Sequence, residues 1–393
     1  MSDASRAPAR PFGRLALLGF VVASAGGPIA LFALYLGPTA AVPRPLLLLT
    51  VALGLAVALA SIAAWRGFSA GVNDRGGQYA FVRRTWGERA GRIQGWIWIV
   101  AYLLYLPYTV TYIVTYLLPR LWQIPTATAD VLTLALPVGL GLLVLYAPRA
   151  AVGAVAAFGA LQALAILVLG MLALRAGAVA PTVAALPGLA TAGSVGVGAL
   201  AVSSLFVCMS LVVFLGGEAR PGDVRWSLGA GYGVVAVLAL IATLALVLGA
   251  RTLSAPTAGI ALVEVEATTA WADVVGLLVM ASTAALIVAE FIALSRLGQA
   301  MLGLGERQAT GAIAVFFVAA NLISLWNPWR FYTLTLTPSL IALYVSQAIV
   351  FAAYPWFDRA RGGRPALAWL IAVVAGGAAL FSLYGAFSGL FGT

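Results

Sequence analysis

Few side chains in this sequence can do chemistry. There is no histidine and a single cysteine, Cys208, in 393 residues. That argues against imidazole acid–base catalysis and the usual metal clusters, and rules out an internal disulfide. The remaining candidates stand inside long apolar runs. Glu290 is the one acid well inside such a run, where a carboxyl is costly unless it is paired or protonated. Its structural alternative is an ion pair with a nearby arginine such as Arg296. Ser282 and Thr283 place two hydroxyls side by side, oxygen donors of the kind a hard cation such as sodium takes. Tyr105, Tyr108 and Tyr112 recur at i, i+3 and i+7, one helical face, flanking Pro107. The stretch SAGGP, Ser24 to Pro28, sets two glycines and a proline in the middle of an apolar run, although these are the poorest helix formers.

The elements that must position these groups follow from composition. With 63% hydrophobic and 9% charged residues and a mean hydropathy of +1.05, the chain reads as an all-α integral membrane protein. Crossing about 30 Å of hydrocarbon takes about 20 apolar residues. Eleven such spans are expected, at 14–36, 44–65, 93–118, 129–147, 151–174, 195–217, 228–250, 273–295, 309–326, 333–355 and 367–390. All 22 basic residues are arginines. If the N-terminus is cytoplasmic, 17 of them fall on that side, against Arg44, Arg120, Arg175, Arg251 and Arg330 on the other. The positive-inside rule then places residues 1–13 as a cytoplasmic tail, the C-terminus outside, and the chain in the plasma (inner) membrane. The net charge of +10 is thereby a topology signal, and no nucleic-acid partner is expected. Glu290 falls one to one and a half turns from the cytoplasmic end of the eighth span on this reading.

Three arginine-bearing connections carry a family pattern. The stretch from Asn73 to Tyr105, with Gly76, Gly77, Tyr79, Arg83, Arg84, Gly87, Gly91, Gly95 and Trp96, resembles the segment between helices 2 and 3 of the amino acid–polyamine–organocation (APC) permeases. Glu218, Arg220 and Pro221 are similar to that family's E-x-[KR]-x-P segment after helix 6. Ser295, Arg296, Ala300 and Met301 are similar to its S-R-x-x-x-A-M stretch after helix 8. The three stand in the family's order and at its spacings.

The resemblance implies a 5+5 inverted repeat, 14–174 and 195–355, with broken helices 1 and 6, and one additional C-terminal helix at 367–390. It implies a ligand between the two breaks. Ser24, Ala25, Gly26, Gly27 and Pro28 form the break in helix 1, where exposed N–H groups at a helix N-terminus suit a carboxylate. Counting back from Glu218 places Phe206, Cys208 and Ser210 on the family's unwound segment of helix 6. Phe206 matches the gating aromatic, while Cys208 and Ser210 stand where relatives have glycine and glutamate. Helix 6 is therefore expected to be less fully unwound, or to open at Ser203–Ser204, whose hydroxyls compete with helical pairing. Tyr105 and Tyr108 are expected to line the pocket. In sodium-coupled proteins of this fold a pair such as Ser282 and Thr283 helps to hold the ion, so Ser282, Thr283 and Glu290 are the candidates for ion coupling. No cofactor is expected, and the coupling ion, sodium or a proton, stays open.

The implied function is a secondary permease for amino acids or related amines, working by alternating access. The alternatives are an ion-independent exchanger and a sodium-coupled carrier of another small organic solute. An enzyme is not expected, for want of histidine, paired carboxylates at depth or a nucleotide loop. The expected partners are the small-molecule substrate and the bilayer.

Overall fold

A computed structural model describes residues 11–25, 42–121, 124–175, 189–220, 222–249 and 269–391. Apart from a bridge between Phe12 and Ala219, the described residues are helices and connections. In chain order they are α1 (Arg14–Ser24), α2 (Leu47–Ser69), α3 (Gln78–Trp86) and α4 (Glu88–Thr111). A π-helical stretch, Tyr112–Leu117, leads from α4 into α5 (Leu118–Leu121). There follow α6 (Thr126–Tyr146), α7 (Pro148–Arg175), α8 (Leu189–Ser204), a 3-10 helix over Val207–Glu218, and α9 (Asp223–Gly249). The chain closes with α10 (Thr269–Leu302), α11 (Glu306–Ser324), α12 (Pro328–Ala360) and α13 (Pro365–Phe391).

Among the described residues ten helices are long and apolar enough to cross a membrane, and α1 is a shorter apolar helix. The chain is thus an integral membrane protein. The helices α1, α2, α4, α6 and α7 carry the first five expected spans. The sixth is α8 with its 3-10 continuation, and α9 to α13 carry the seventh to the eleventh.

Packing shows the repeat. The first span (α1) packs on the seventh (α9), as the sixth (α8) packs on the second (α2). The third (α4) packs on the tenth (α12), as the eighth (α10) packs on the fifth (α7). Exchanging each span for its counterpart five places away in the other half turns each of these contacts into its partner. Because five is odd and successive spans alternate in direction, matched spans run opposite ways, which makes the repeat an inverted one. The eleventh span, α13, lies outside this pattern against α12 and α2.

Local signals explain the helix ends. The Asn327 side chain accepts from the Arg330 N–H at 2.9 Å, and Pro328 takes the first position of α12, where its missing N–H costs nothing. Gly305 donates its N–H to Gln308 Oε1 at 3.0 Å at the start of α11.

The three motif-bearing connections come together at the arginine-rich end. The Arg296 guanidinium, buried, pairs with both Glu218 and Glu306. Arg75 lies 3.5 Å from Glu218, and Arg83 3.0 Å from Asp74. Arg14 binds Asp223 at 2.7 Å, tying α1 to the start of α9. Glycine is required at Gly77, which has φ +52° and where a Cβ would come within 2.5 Å of the Phe214 ring.

Candidate substrate site

The sixth span is interrupted. The helix α8 ends at Ser204, Leu205 and Phe206 form a turn, and the chain resumes as twelve residues of 3-10 helix, well beyond the roughly three or four usual for that geometry. Ser203 and Ser204 donate their hydroxyls to Leu200 O and Ala201 O, each at 2.7 Å. Ser210 does the same to Val207 O at 2.8 Å. These bonds give the last carbonyls of α8 side-chain donors where the next turn's N–H groups are turned away. The interruption falls on Leu205 and Phe206, directly after Ser203 and Ser204, which stay in α8, while Val207 to Ser210 continue as 3-10 helix.

In the third span Pro107 removes one helical N–H, and Thr111 donates its hydroxyl to Pro107 O at 3.1 Å. The π-helical stretch follows directly, as helices often relax beyond a proline. On this irregular segment the aromatic rings form a series. Ring centroids lie 4.1 Å apart for Trp98–Tyr102, 5.8 Å for Tyr102–Tyr105 and 4.6 Å for Tyr105–Tyr108. The series continues to Tyr332 of α12 at 5.7 Å and on to Trp329 at 6.1 Å.

Glu290 stands where these elements meet. It is 0% exposed, and neither carboxyl oxygen has a hydrogen-bond partner among the described residues. It lies within electrostatic range of Tyr102, Tyr105, Tyr108 and Cys208. Cys208, just past the break in the sixth span, is buried, with its sulfur 3.7 Å from the Tyr102 hydroxyl. The structure thus brings together Tyr105, Tyr108, Cys208 and Glu290 from three separate spans.

One expectation about Glu290 is corrected. Arg296 is not its partner, being engaged by Glu218 and Glu306. The helix itself runs on past Glu290 for twelve residues, to Leu302, about 18 Å. The apolar run reads as ending near Ser295 because the polar residues there are satisfied internally. Ser295 shares a 2.6 Å hydrogen bond with Thr310, and Arg296 has its two carboxylates. Within α10, Thr269–Leu302, Glu290 stands about two-thirds of the way along the helix.

The other expected residues are placed elsewhere. Ser203 and Ser204 line a cavity of about 20 Å³ with Ser61, Tyr344, Gln347 and Ser382, room for about one water molecule. Tyr344 is within hydrogen-bonding reach of Ser204 and Ser382, and within electrostatic range of Cys208. Phe206 is buried against the Tyr232 ring at 5.7 Å. Ser282 is buried in α10, two turns before Glu290, with Thr283 beside it and partly buried. Ser24 is the last residue of α1 and donates its hydroxyl to Phe20 O at 2.7 Å, and Ala25 leaves helical geometry at ψ 37°. Gly26, Gly27 and Pro28 lie outside the described residues.

Tyr102 and Tyr344 were missed by sequence reasoning. Tyr102 is three residues before Tyr105 and continues the same stripe, so its spacing was a usable signal. Tyr344 has none, since only folding brings the tenth span against the break in the sixth.

No known family's sequence profile matches the chain, and no curated protein matches it by sequence. Its structure is similar to that of the Eremococcus coleocola manganese transporter in complex with an aromatic bis-isothiourea compound. That likeness has a TM-score of 0.62 at 12% identity and covers 100% of this chain and 92% of that one. MhsT in complex with L-phenylalanine is similar with a TM-score of 0.63 at 14% identity, over 96% of this chain and 99% of that one. A nucleobase-cation-symport-1 family transporter in a closed conformation, with bromovinylhydantoin bound, is similar with a TM-score of 0.56 at 13% identity, over 98% and 94%. The chain has the fold of these transporters.

Proposed function

We propose that this protein is a secondary active transporter moving amino acids or related amines across the membrane by alternating access, and that it belongs with the APC permeases its connections resemble. One observation carries the reading. An interrupted helix, an unpartnered buried carboxyl and a tyrosine stripe occur together inside a bundle of helices long and apolar enough to cross a membrane. Irregular backbone at such depth is tolerated where it lines a cavity or a ligand site. Of the three structural relatives described above, two are transporters by their printed names, one of manganese and one of the nucleobase-cation-symport-1 family, and the remaining one is in complex with L-phenylalanine. The manganese of the first is not carried over, since this chain has no histidine and one cysteine and the described residues hold no group of acids and cysteine fit for a metal ion.

In this reading the two faces of the bundle rock about the breaks in the first and sixth spans, and Tyr105 and Tyr108 close over the bound solute. The coupling ion is sodium at Ser282 and Thr283 or a proton at Glu290. The test is counterflow in proteoliposomes preloaded with a mixture of unlabelled amino acids and amines. Trans-stimulated uptake of a labelled member is the expected result. Absence of uptake for every member, with and without sodium and proton gradients, overturns the proposal.

A further inference from the structure

Resting on the reading of Glu290 and the tyrosines as a substrate site, we infer that the substrate is a primary-amine cation with an apolar body and no carboxylate, held by the Glu290 carboxylate and the tyrosine ring faces. A site that bound its ligand through backbone groups alone would need no such acid.

The first ground is the acid itself. Glu290 is fully buried, and the groups in electrostatic range of it are phenols and a thiol, all neutral when protonated. The nearest arginine on its own helix, Arg296, already has two carboxylates. Both Glu290 oxygens are free of hydrogen bonds among the described residues, so they are available to an ammonium, which brings up to three N–H donors. A buried charge without a partner is costly, and a cationic ligand supplies the missing one.

The second ground is the ring series. Five rings after Trp98 are not needed to bury one acid, yet they run without a gap from Tyr102, which is within electrostatic range of Glu290, through Tyr105, Tyr108 and Tyr332 to Trp329. Its two ends differ in exposure, 0% at Tyr102 and 59% at Trp329. It therefore leads from the buried acid to the end of the molecule away from the arginine-rich connections. At the other end the ring of Phe214 lies 4.5 Å from Trp98 and closes the series. Aromatic faces attract cations within about 6 Å of the ring centre, and the same faces bury an apolar body. A carboxylate on the ligand would be brought beside an acid of like charge, which disfavours a zwitterion of the same shape.

Three ligands of one shape test the inference: 2-phenylethylamine, L-phenylalanine and 2-phenylethanol, titrated calorimetrically into the purified full chain. The amine should bind at least about tenfold more tightly than either of the others. Glu290→Gln should weaken the amine about a hundredfold and leave the alcohol unchanged. Tyr105→Phe should keep amine binding, and Tyr105→Leu should lose about tenfold, which holds as a separate test should Glu290→Gln fold poorly. Phenylalanine binding more tightly than the amine, with affinity unchanged in Glu290→Gln, overturns the cation inference and leaves the substrate site standing. Binding of none of the three, nor of butylamine, overturns the cation inference. If Tyr105→Leu then also leaves amino acid counterflow unchanged, the assignment of the site falls separately.

Discussion

Arg296 pairs with Glu218, a residue of a different span, and not with Glu290 six positions before it on its own helix. Six residues turn a helix by well over one and a half turns, so the two side chains leave α10 on different faces. The consequence is a division of labour. One acid fastens the connections after the sixth and eighth spans, and the other is left uncommitted in the middle of the bundle.

The fastening acid is a stability prediction. In Arg296→Met the Glu218 carboxylate keeps only Arg75 at 3.5 Å, and removing one partner of a buried pair should cost about 3 kcal/mol. Thermal unfolding of the purified protein should show a clear drop in Tm, while Arg92→Met, which breaks the exposed pair with Glu88, should change it little. Equal effects from the two would contradict the burial argument.

Coupling separates on two variants. If Ser282 and Thr283 hold sodium, replacing both by alanine should abolish the sodium dependence of uptake in a folded protein. If uptake follows a proton gradient and never depends on sodium, Glu290→Gln should abolish the response and the double alanine variant should not. Uptake driven by neither gradient in the parent would favour the exchanger.

The break in the first span is tested at its glycines. Gly27→Val should weaken substrate binding by roughly two to four orders of magnitude if backbone N–H groups there hold the ligand, through loss of two charge-assisted bonds at about 1.5 to 3 kcal/mol each. From the sequence, Gly54 in the unbroken second span is the natural control, but the structure disqualifies it. A Cβ at Gly54 would lie 2.6 Å from Ala199 O and 2.7 Å from Val202 Cβ, pushing on α8 just before its break. Gly139 of α6 has no atom within 4 Å of its added Cβ, so Gly139→Val is the control and should leave binding unchanged.

Topology is the last prediction. In a Cys208→Ser background, cysteines placed between Asn73 and Arg92 should be labelled only from the cytoplasm, and a tag after Thr393 only from outside. Labelling of both from one side would require an even number of spans.

How much of this was legible in the sequence depended on whether the signal was local. The membrane class and ten of the spans follow from runs of apolar residues, because lipid forces each segment to satisfy its own backbone. The competition of the Ser203 and Ser204 hydroxyls with helical pairing was legible too, since a hydroxyl that bonds a carbonyl three residues back needs no distant partner, although the interruption itself falls on Leu205 and Phe206. The surroundings of Arg296 were not. Arg296 looks like the edge of a membrane and is instead buried, because Glu218 and Glu306 arrive from elsewhere in the chain to pair with it.

The same distinction governs the site. Residue types and spacing alone placed Glu290 at depth and set Tyr105 and Tyr108 on one face. Only the tertiary structure decided that this acid is unpaired, that Cys208 and Tyr102 meet each other within its electrostatic range, and that Ser203 and Ser204 turn to a separate cavity with Tyr344. Helical periodicity fixes which residues share a face, but the partner a face meets is set by packing between spans hundreds of residues apart, and no local pattern records it.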